Sequence, residues 1–118
     1  MNKNQAKRKE EGRMRRRART RARIHGTKEC PRLAVFRSNR FIYGQLIDDD
    51  KRVTLAASSD KGRKEKTKVL RAKGAGEALA SAAKDKKIVK AVFDRGGFRY
   101  AGRILSFAEG AREGGLKF

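Results

Sequence analysis

The residues best suited to chemistry lie together in the segment 94–103, whose sequence is DRGGFRYAGR. Its glycine pair permits positive φ angles and the close approach of a ligand, and its three arginines supply charge. A helix that starts directly afterwards offers N–H groups to an anion. The segment therefore predicts a phosphate-binding corner. Asp94 could act there as a general base or metal ligand, but closing the loop and pairing with an arginine is the simpler interpretation.

The charge of the chain indicates that this phosphate belongs to a polymer. The 118 residues contain 33 Lys and Arg against 13 Asp and Glu, a formal net charge of +20. Such a density repels itself in a compact monomer and is typical of proteins that bind polyanions. Arginine dominates the N-terminal part, and its planar fork grips phosphate and stacks on bases. Structured nucleic acid is therefore favoured over a membrane surface or an acidic protein.

The sequence lacks a recognisable set of catalytic or metal-binding residues. His25 is the only histidine, and the single cysteine, Cys30, excludes an internal disulfide and fits a reducing cytoplasm. The aspartates at 48–50 suggest a metal site, but a hairpin tip with side chain to backbone bonds explains them more simply. Glu10 and Glu11 argue against an organelle transit peptide. We predict no enzyme activity, no metal or cofactor, no small-molecule substrate and no membrane span.

The elements that must position the corner follow from periodicity. Apolar-rich runs at 32–38, 41–48 and 52–58 predict a three-stranded antiparallel meander. Small residues on one face of 69–86 predict a helix, and the apolar run 88–94 predicts a buried fourth strand. Ile104, Phe107, Ala108 and Ala111 mark a last helix, which Gly114 and Gly115 end.

The predicted fold class is α/β (α+β), a single mixed sheet in the order βββαβα with two helices packed on it. The crossover helix makes the third and fourth strands parallel, which places the corner at the carboxyl end of the fourth strand, where such sheets usually bind ligands. Phe41 and Phe93 are assigned to the core. Gly74 and Gly76 indicate either tight approach to the strands or local flexibility within the first of these helices.

Residues 1–29 are predicted to form a basic arm and residues 30–118 a globular domain. Met14, Ala18 and Ala22 form a helical stripe that is too thin to dock firmly on a core. We expect a nascent helix that RNA orders, with a disordered tail or a nuclear address as alternatives. A second basic run at 61–73 is either another contact surface or a solvated face.

Several linked motifs resemble the bacterial members of the family of universal large-subunit ribosomal protein eighteen. They are PRLAVFRSN at 31–39, IYGQ at 42–45, DD at 48–49, VFDRGG at 92–97 and AREGGLKF at 111–118. The resemblance covers residues 13–118. It implies a cytoplasmic ribosomal protein that binds 5S ribosomal RNA and helps attach it to the large-subunit rRNA in the central protuberance, beside the neighbouring 5S-binding protein five. The alternative is a non-specific RNA or DNA chaperone that acts through charge.

The candidate RNA-binding residues fall into four groups. The resemblance implies a first hairpin turn, a site on the next strand and the corner, formed by Arg37, Ser38, Asn39 and Arg40, by Tyr43 and Gln45, and by Arg95, Gly96, Gly97, Tyr100, Gly102 and Arg103. The charge of the arm adds Arg13, Arg15, Arg16, Arg17, Arg19, Arg21 and Arg23. Tyr43, Phe98 and Tyr100 are stacking platforms or core residues. Ala101 stands where the family commonly has histidine, so any contact of that imidazole is absent here.

Overall fold

The predicted order of elements recurs in residues 3–118, the part of the chain that this computed structural model describes. A helix formed by the arm comes first, and the βββαβα order follows it. The elements are α1 (Lys3–Arg21), β1 (Arg32–Arg37), β2 (Ile42–Asp48), β3 (Val53–Ser59), α2 (Lys68–Asp85), β4 (Val92–Asp94) and α3 (Gly102–Glu113). No described helix is long and apolar enough to cross a membrane.

The four strands form one mixed sheet in the spatial order β3-β2-β1-β4. The pairs β1/β2 and β2/β3 are antiparallel, and β1/β4 is parallel. The predicted fold class is therefore confirmed. Strands β3 and β4 run in the same direction, as expected, but they lie at opposite edges, because β4 adds to the free edge of β1 rather than to β3.

One face of the sheet is covered by α2 and α3. Alternate residues of β1 and β2 are buried there, including Leu33, Val35, Ile42 and Leu46. Gly44 lies so close beneath the ring of Phe107 that a Cβ at this position would overlap it. Because burial alternates along each strand, the residues in between lie on the opposite face of the sheet, which α2 and α3 do not cover.

The small residues of α2 bring it close to α3. A Cβ at Gly76 would overlap the carbonyl of Phe107, and one at Gly110 would overlap the carbonyl of Lys73. Tight packing is therefore the explanation for Gly76, but the close partner is a helix rather than the strands. Gly74 instead lies against the side chains of Arg63 and Glu65.

Two sequence predictions about apolar residues are wrong in extent or place. The predicted strand 88–94 is reduced to Val92–Asp94, because the Ile88 amide donates to Ala83 at the end of α2. The neighbouring residues pair with the chain end at Lys117. Phe41 is half-buried outside the core cluster, whereas Phe93 packs against that cluster while partly buried.

Candidate nucleic-acid interface

The corner after β4 is closed by a buried carboxylate. Asp94 is fully buried and accepts hydrogen bonds from the Gly96 amide at 2.8 Å and from Arg32 Nη1 at 2.9 Å. Gly96 and Gly97 have φ angles of +66° and +80°. The positive φ angles and the loop-closing interpretation of Asp94 are thus confirmed. Neither oxygen of this carboxylate is available as a general base, because Arg32 and the Gly96 amide occupy them.

Helix α1 makes the close approach that the glycine pair permits. Gly97 lies so near α1 that a Cβ would overlap the Arg13 carbonyl and come within 3.2 Å of the Arg17 nitrogen. Arg16 Nε donates to the Gly97 carbonyl at 3.1 Å. The Arg13 guanidinium lies 4.9 Å from the centroid of the buried Phe98 ring. Helix α1 of the same chain therefore lies against the glycine pair, where the sequence predicted the close approach of a phosphate ligand.

The helix contacts the domain through arginine rather than through its thin apolar stripe. Arg13 and Arg17 are half-buried, while Met14, Ala18 and Ala22 are exposed. Arg21 Nε adds a 3.4 Å ion pair with Asp94. Three more candidates on this arm are exposed, and they are Arg15, Arg19 and Arg23. Only one side of α1 contacts the domain, so most of its charged side chains remain exposed to solvent.

A charged network holds the segment after α1 against the sheet. Arg32 donates through Nε and Nη2 to Asp49, each at 3.0 Å, and Asp49 Oδ2 also accepts from the Gly26 amide at 2.8 Å. The hydrogen bonds from Arg32 lower the pKa of Asp49 to about 2, and the same bonds raise the pKa of Arg32. The network therefore stays ionised at neutral pH and joins the corner to the second hairpin.

The three adjacent aspartates form a hairpin tip. Asp48 Oδ1 accepts from the Asp50 and Lys51 amides at 3.0 and 3.3 Å, which is the predicted Asx-type arrangement. Asp50 bonds His25 Nε2 at 2.6 Å, and this bond raises the pKa of the imidazole. No three His, Cys, Asp or Glu residues within the described range are grouped to hold a metal.

The buried side chain of Arg103 stabilises the first hairpin turn. Its Nη1 donates to the Ser38 carbonyl at 3.1 Å, and its Nη2 lies 3.6 Å from the buried Asp60 carboxylate. Arg103 is 9% exposed, so its contacts are mainly inside the protein. Ser38 is half-buried within the turn, and the exposed candidates of the turn are Arg37, Asn39 and Arg40.

Two clefts separate α1 from the sheet and the first turn. One, of about 340 Å³, is lined by Arg17, Arg21, Phe36, Tyr43 and Gln45 among others. The second, of about 440 Å³, is lined in part by Arg13, Phe36, Arg37, Ser38 and Asn39. Candidates from the arm, the first turn and β2 thus meet along one surface, and Gly96 of the corner also lines the first cleft.

The remaining candidates of the corner are Arg95, Tyr100 and Gly102, and Gly102 begins α3. Arg95 is exposed, and Gly102 has a φ of +56° with open space where a Cβ would stand. Ala101, the N-cap residue, makes no side-chain hydrogen bond to the helix. Tyr100 instead packs edge-on against Phe93, with ring centroids 5.6 Å apart. Tyr100 therefore belongs with a half-buried aromatic cluster rather than with the clefts beside α1.

Sequence reasoning missed Phe36, which lines both clefts and is 50% exposed. Its signal was present in the alternation of β1, because the inward Leu33 and Val35 require the next residue to face outward. The second basic run at 61–73 reaches the first turn through Lys68, whose Nζ donates to the Asn39 carbonyl at 2.9 Å. RNA contact by this run stays a prediction.

Comparisons of the whole chain with known proteins all point to the same protein family. A family profile described as ribosomal L18 of archaea, bacteria, mitochondria and chloroplast matches residues 7–118. The chain is 54% identical over 108 residues to the large ribosomal subunit protein uL18 of Limosilactobacillus reuteri, covering 90% of this chain and 92% of the relative. The uL18 protein of Lactiplantibacillus plantarum gives the same identity and coverage. The uL18 protein of Staphylococcus aureus strain JH9 is 52% identical over 109 residues, which again cover 90% of this chain and 92% of the relative.

Proposed function

The chain belongs to the ribosomal L18 family, and we propose that it binds 5S ribosomal RNA and helps attach it to the large-subunit rRNA in the central protuberance. It is a structural protein of the large ribosomal subunit and not an enzyme. The cytoplasmic ribosome is its place of action. Its proposed protein neighbour is the 5S-binding ribosomal protein five, which the resemblance described above implies.

The observation that carries this proposal is the docking of the basic helix α1 beside the sheet. Arg16 and Arg21 fasten it to the corner, and the two clefts beside it collect candidate residues from distant parts of the sequence. A-form RNA hides its major groove from side chains, so a protein reads its backbone shape, 2′-hydroxyls and unpaired loops. A cationic helix beside grooves lined with polar and aromatic groups suits such a target.

We assign different tasks to the candidate residues within this function. Phosphate contacts come from the exposed arginines of the arm, from the first turn and from Arg95. Tyr43 and Gln45 face the RNA from β2. Gly97 and Arg103 support the surface from within, because their contacts are with α1 and with the first turn. The arm, residues 1–29, then supplies charge to a globular domain, residues 30–118, that selects the RNA.

The test compares binding to 5S ribosomal RNA with binding to an unrelated folded RNA of equal length while salt is raised. We expect the preference for 5S ribosomal RNA to persist when salt suppresses background binding. Parallel loss on both RNAs would contradict the proposal and favour the charge-driven chaperone. Arg37→Gln and Arg95→Gln should each weaken the complex, whereas Arg52→Gln, an exposed arginine at the second hairpin tip, is the matched control.

A further inference from the structure

Four aromatic rings form a row on the side of the sheet that α2 and α3 do not cover. The ring centroids of Phe98 and Phe36 are 5.6 Å apart, those of Phe36 and Tyr43 are 6.4 Å apart, and those of Tyr43 and Phe41 are 6.4 Å apart. Phe36 and Tyr43 are direct partners in the β1/β2 register. They are 50% and 37% exposed. Each end of the row carries a cation, because Arg13 lies over Phe98 and the ammonium group of Lys61 lies 6.0 Å from the centroid of Phe41.

The centre of this row is a preformed surface. Phe36 meets the buried Phe98 edge-on, at an interplanar angle of 77°, so one side of the exposed ring is supported by the folded domain. The planes of Phe36 and Tyr43 differ by 32°. Two neighbouring rings that are exposed on a sheet offer apolar area that the core does not use.

We propose that Phe36 and Tyr43 bind one unstacked base of the RNA, an inference that rests on the proposed function. Aromatic side chains on a sheet stack bases that RNA loops and bulges turn outward. Gln45 lies two residues after Tyr43 on the same face and lines the same cleft, so its amide stands where a base edge is recognised. Arg17 and Arg21 line the cleft beside it and bind the phosphate of that nucleotide.

Charge selects a nucleotide over other occupants of this face. A second copy of the chain would bring another +20 charge towards it. Asp94 is the one acidic residue among those that line this cleft, and it is fully buried and bonded to Arg32 and the Gly96 amide. The surface therefore presents aromatic faces, one amide and guanidinium groups to solvent, which together match a base and its phosphate.

Fluorine NMR on fluorotyrosine-labelled protein tests the stacking directly. The chain contains two tyrosines, so the labelled protein gives one signal from Tyr43 and one from Tyr100, and Tyr43→Phe assigns them. On titration with 5S ribosomal RNA, the signal of Tyr43 should shift several times further than that of Tyr100, which packs against Phe93. An unmoved Tyr43 signal in a saturated complex would overturn the inference.

Affinity provides the second readout. Phe36→Ala should raise the Kd for 5S ribosomal RNA by roughly 5- to 150-fold, the range for loss of one stacked base. The salt dependence should stay unchanged, because no charge is removed. Val89→Ala, which trims a 60% exposed valine before β4, is the matched control. If Phe36→Ala does not fold, Tyr43→Leu takes its place, and a Kd within twofold of the parent would contradict the stacking.

The two proposals fail in different ways. If the parent protein prefers 5S ribosomal RNA but Phe36→Ala binds it equally well, the stacking site is wrong and the proposed function stands. If the parent shows no preference, a titration with a short unstructured RNA separates the two. A Tyr43 shift on that RNA would keep the stacking surface and overturn the 5S assignment, whereas an unmoved signal would overturn both.

Discussion

At the scale of single residues, Gly97 is the point where the arm meets the domain. Gly97→Ala should release α1, because the new Cβ would overlap the Arg13 carbonyl. Gly62→Ala is a closely matched control, since Gly62 has a φ of +83° against +80° for Gly97 but open space around its Cβ position. Both variants carry the left-handed penalty of about 1–2 kcal/mol.

Amide hydrogen exchange measures the difference between these glycine variants. Only Gly97→Ala should lower the protection of the α1 amides, and it should weaken 5S ribosomal RNA binding more than Gly62→Ala does. Equal protection of α1 in both variants would mean that the contact with Gly97 does not hold the helix.

Asp49 gives the domain a sensitivity to acid. Its folded-state pKa of about 2 lies below the ordinary value of 3.8, since Arg32 and the Gly26 amide stabilise the carboxylate. The resulting stability is fully present above about pH 4 and is lost as the pH falls towards 2, by about 2 kcal/mol. Urea unfolding at neutral pH and near pH 2 should show a smaller acid loss for Asp49→Asn than for the parent. Asp50→Asn, a change at its exposed neighbour, should retain the full loss.

At the scale of elements, the contact between α2 and α3 limits what each helix tolerates. Gly76→Ala gains helix propensity of about 1 kcal/mol, but its Cβ would overlap the Phe107 carbonyl. Overpacking typically costs about 1–3 kcal/mol, so we expect a net loss in the free energy of unfolding. Gly12→Ala in α1 would meet only the side chains of Arg15 and Arg16 and should increase helix content. A more stable Gly76→Ala protein would show that the two helices separate easily.

The elements were predictable from sequence where the pattern is local. Alternation gave β1, β2 and β3 to within about one residue, because burial of one face repeats every second position. The partner of β4 was not predictable, since a strand's own residues do not state which sheet edge accepts it. Its length was also missed, because the backbone at 88–91 forms hydrogen bonds with the end of α2 and with the C-terminal segment instead.

The candidate site was predictable in composition but less so in arrangement. The glycine pair, Asp94 and the turn residues lie where the motifs indicated. The face by which α1 docks was missed, because arginine was counted as a ligand for RNA and not as a partner for Gly97 and Asp94. Arg103 shows the same limit, since a buried arginine and an exposed one are written alike in a sequence.

At the scale of the whole molecule, positive charge is concentrated in the N-terminal segment that contains α1. Residues 1–24 hold eleven Lys or Arg, yet within the described part of the chain Arg13, Arg16, Arg17 and Arg21 are the residues of α1 seen to contact the corner. The first part of α1 can therefore be removed without exposing the corner. This division separates the contribution of charge from that of docking.

Deleting residues 1–24 should lower both the affinity for RNA and its dependence on salt. Each lost phosphate contact reduces the slope of log affinity against log salt by about 0.7–0.9. The preference for 5S ribosomal RNA should remain, because phosphate contacts carry little sequence information. Deleting residues 1–11 is the control, since it removes Lys3, Lys7, Arg8 and Lys9 but keeps the docked arginines. It also removes the part of the second cleft that Ala6, Lys9 and Glu10 line. If the longer deletion abolished the preference while the shorter one kept it, the docked arginines, and not the sheet and first turn, would select the RNA.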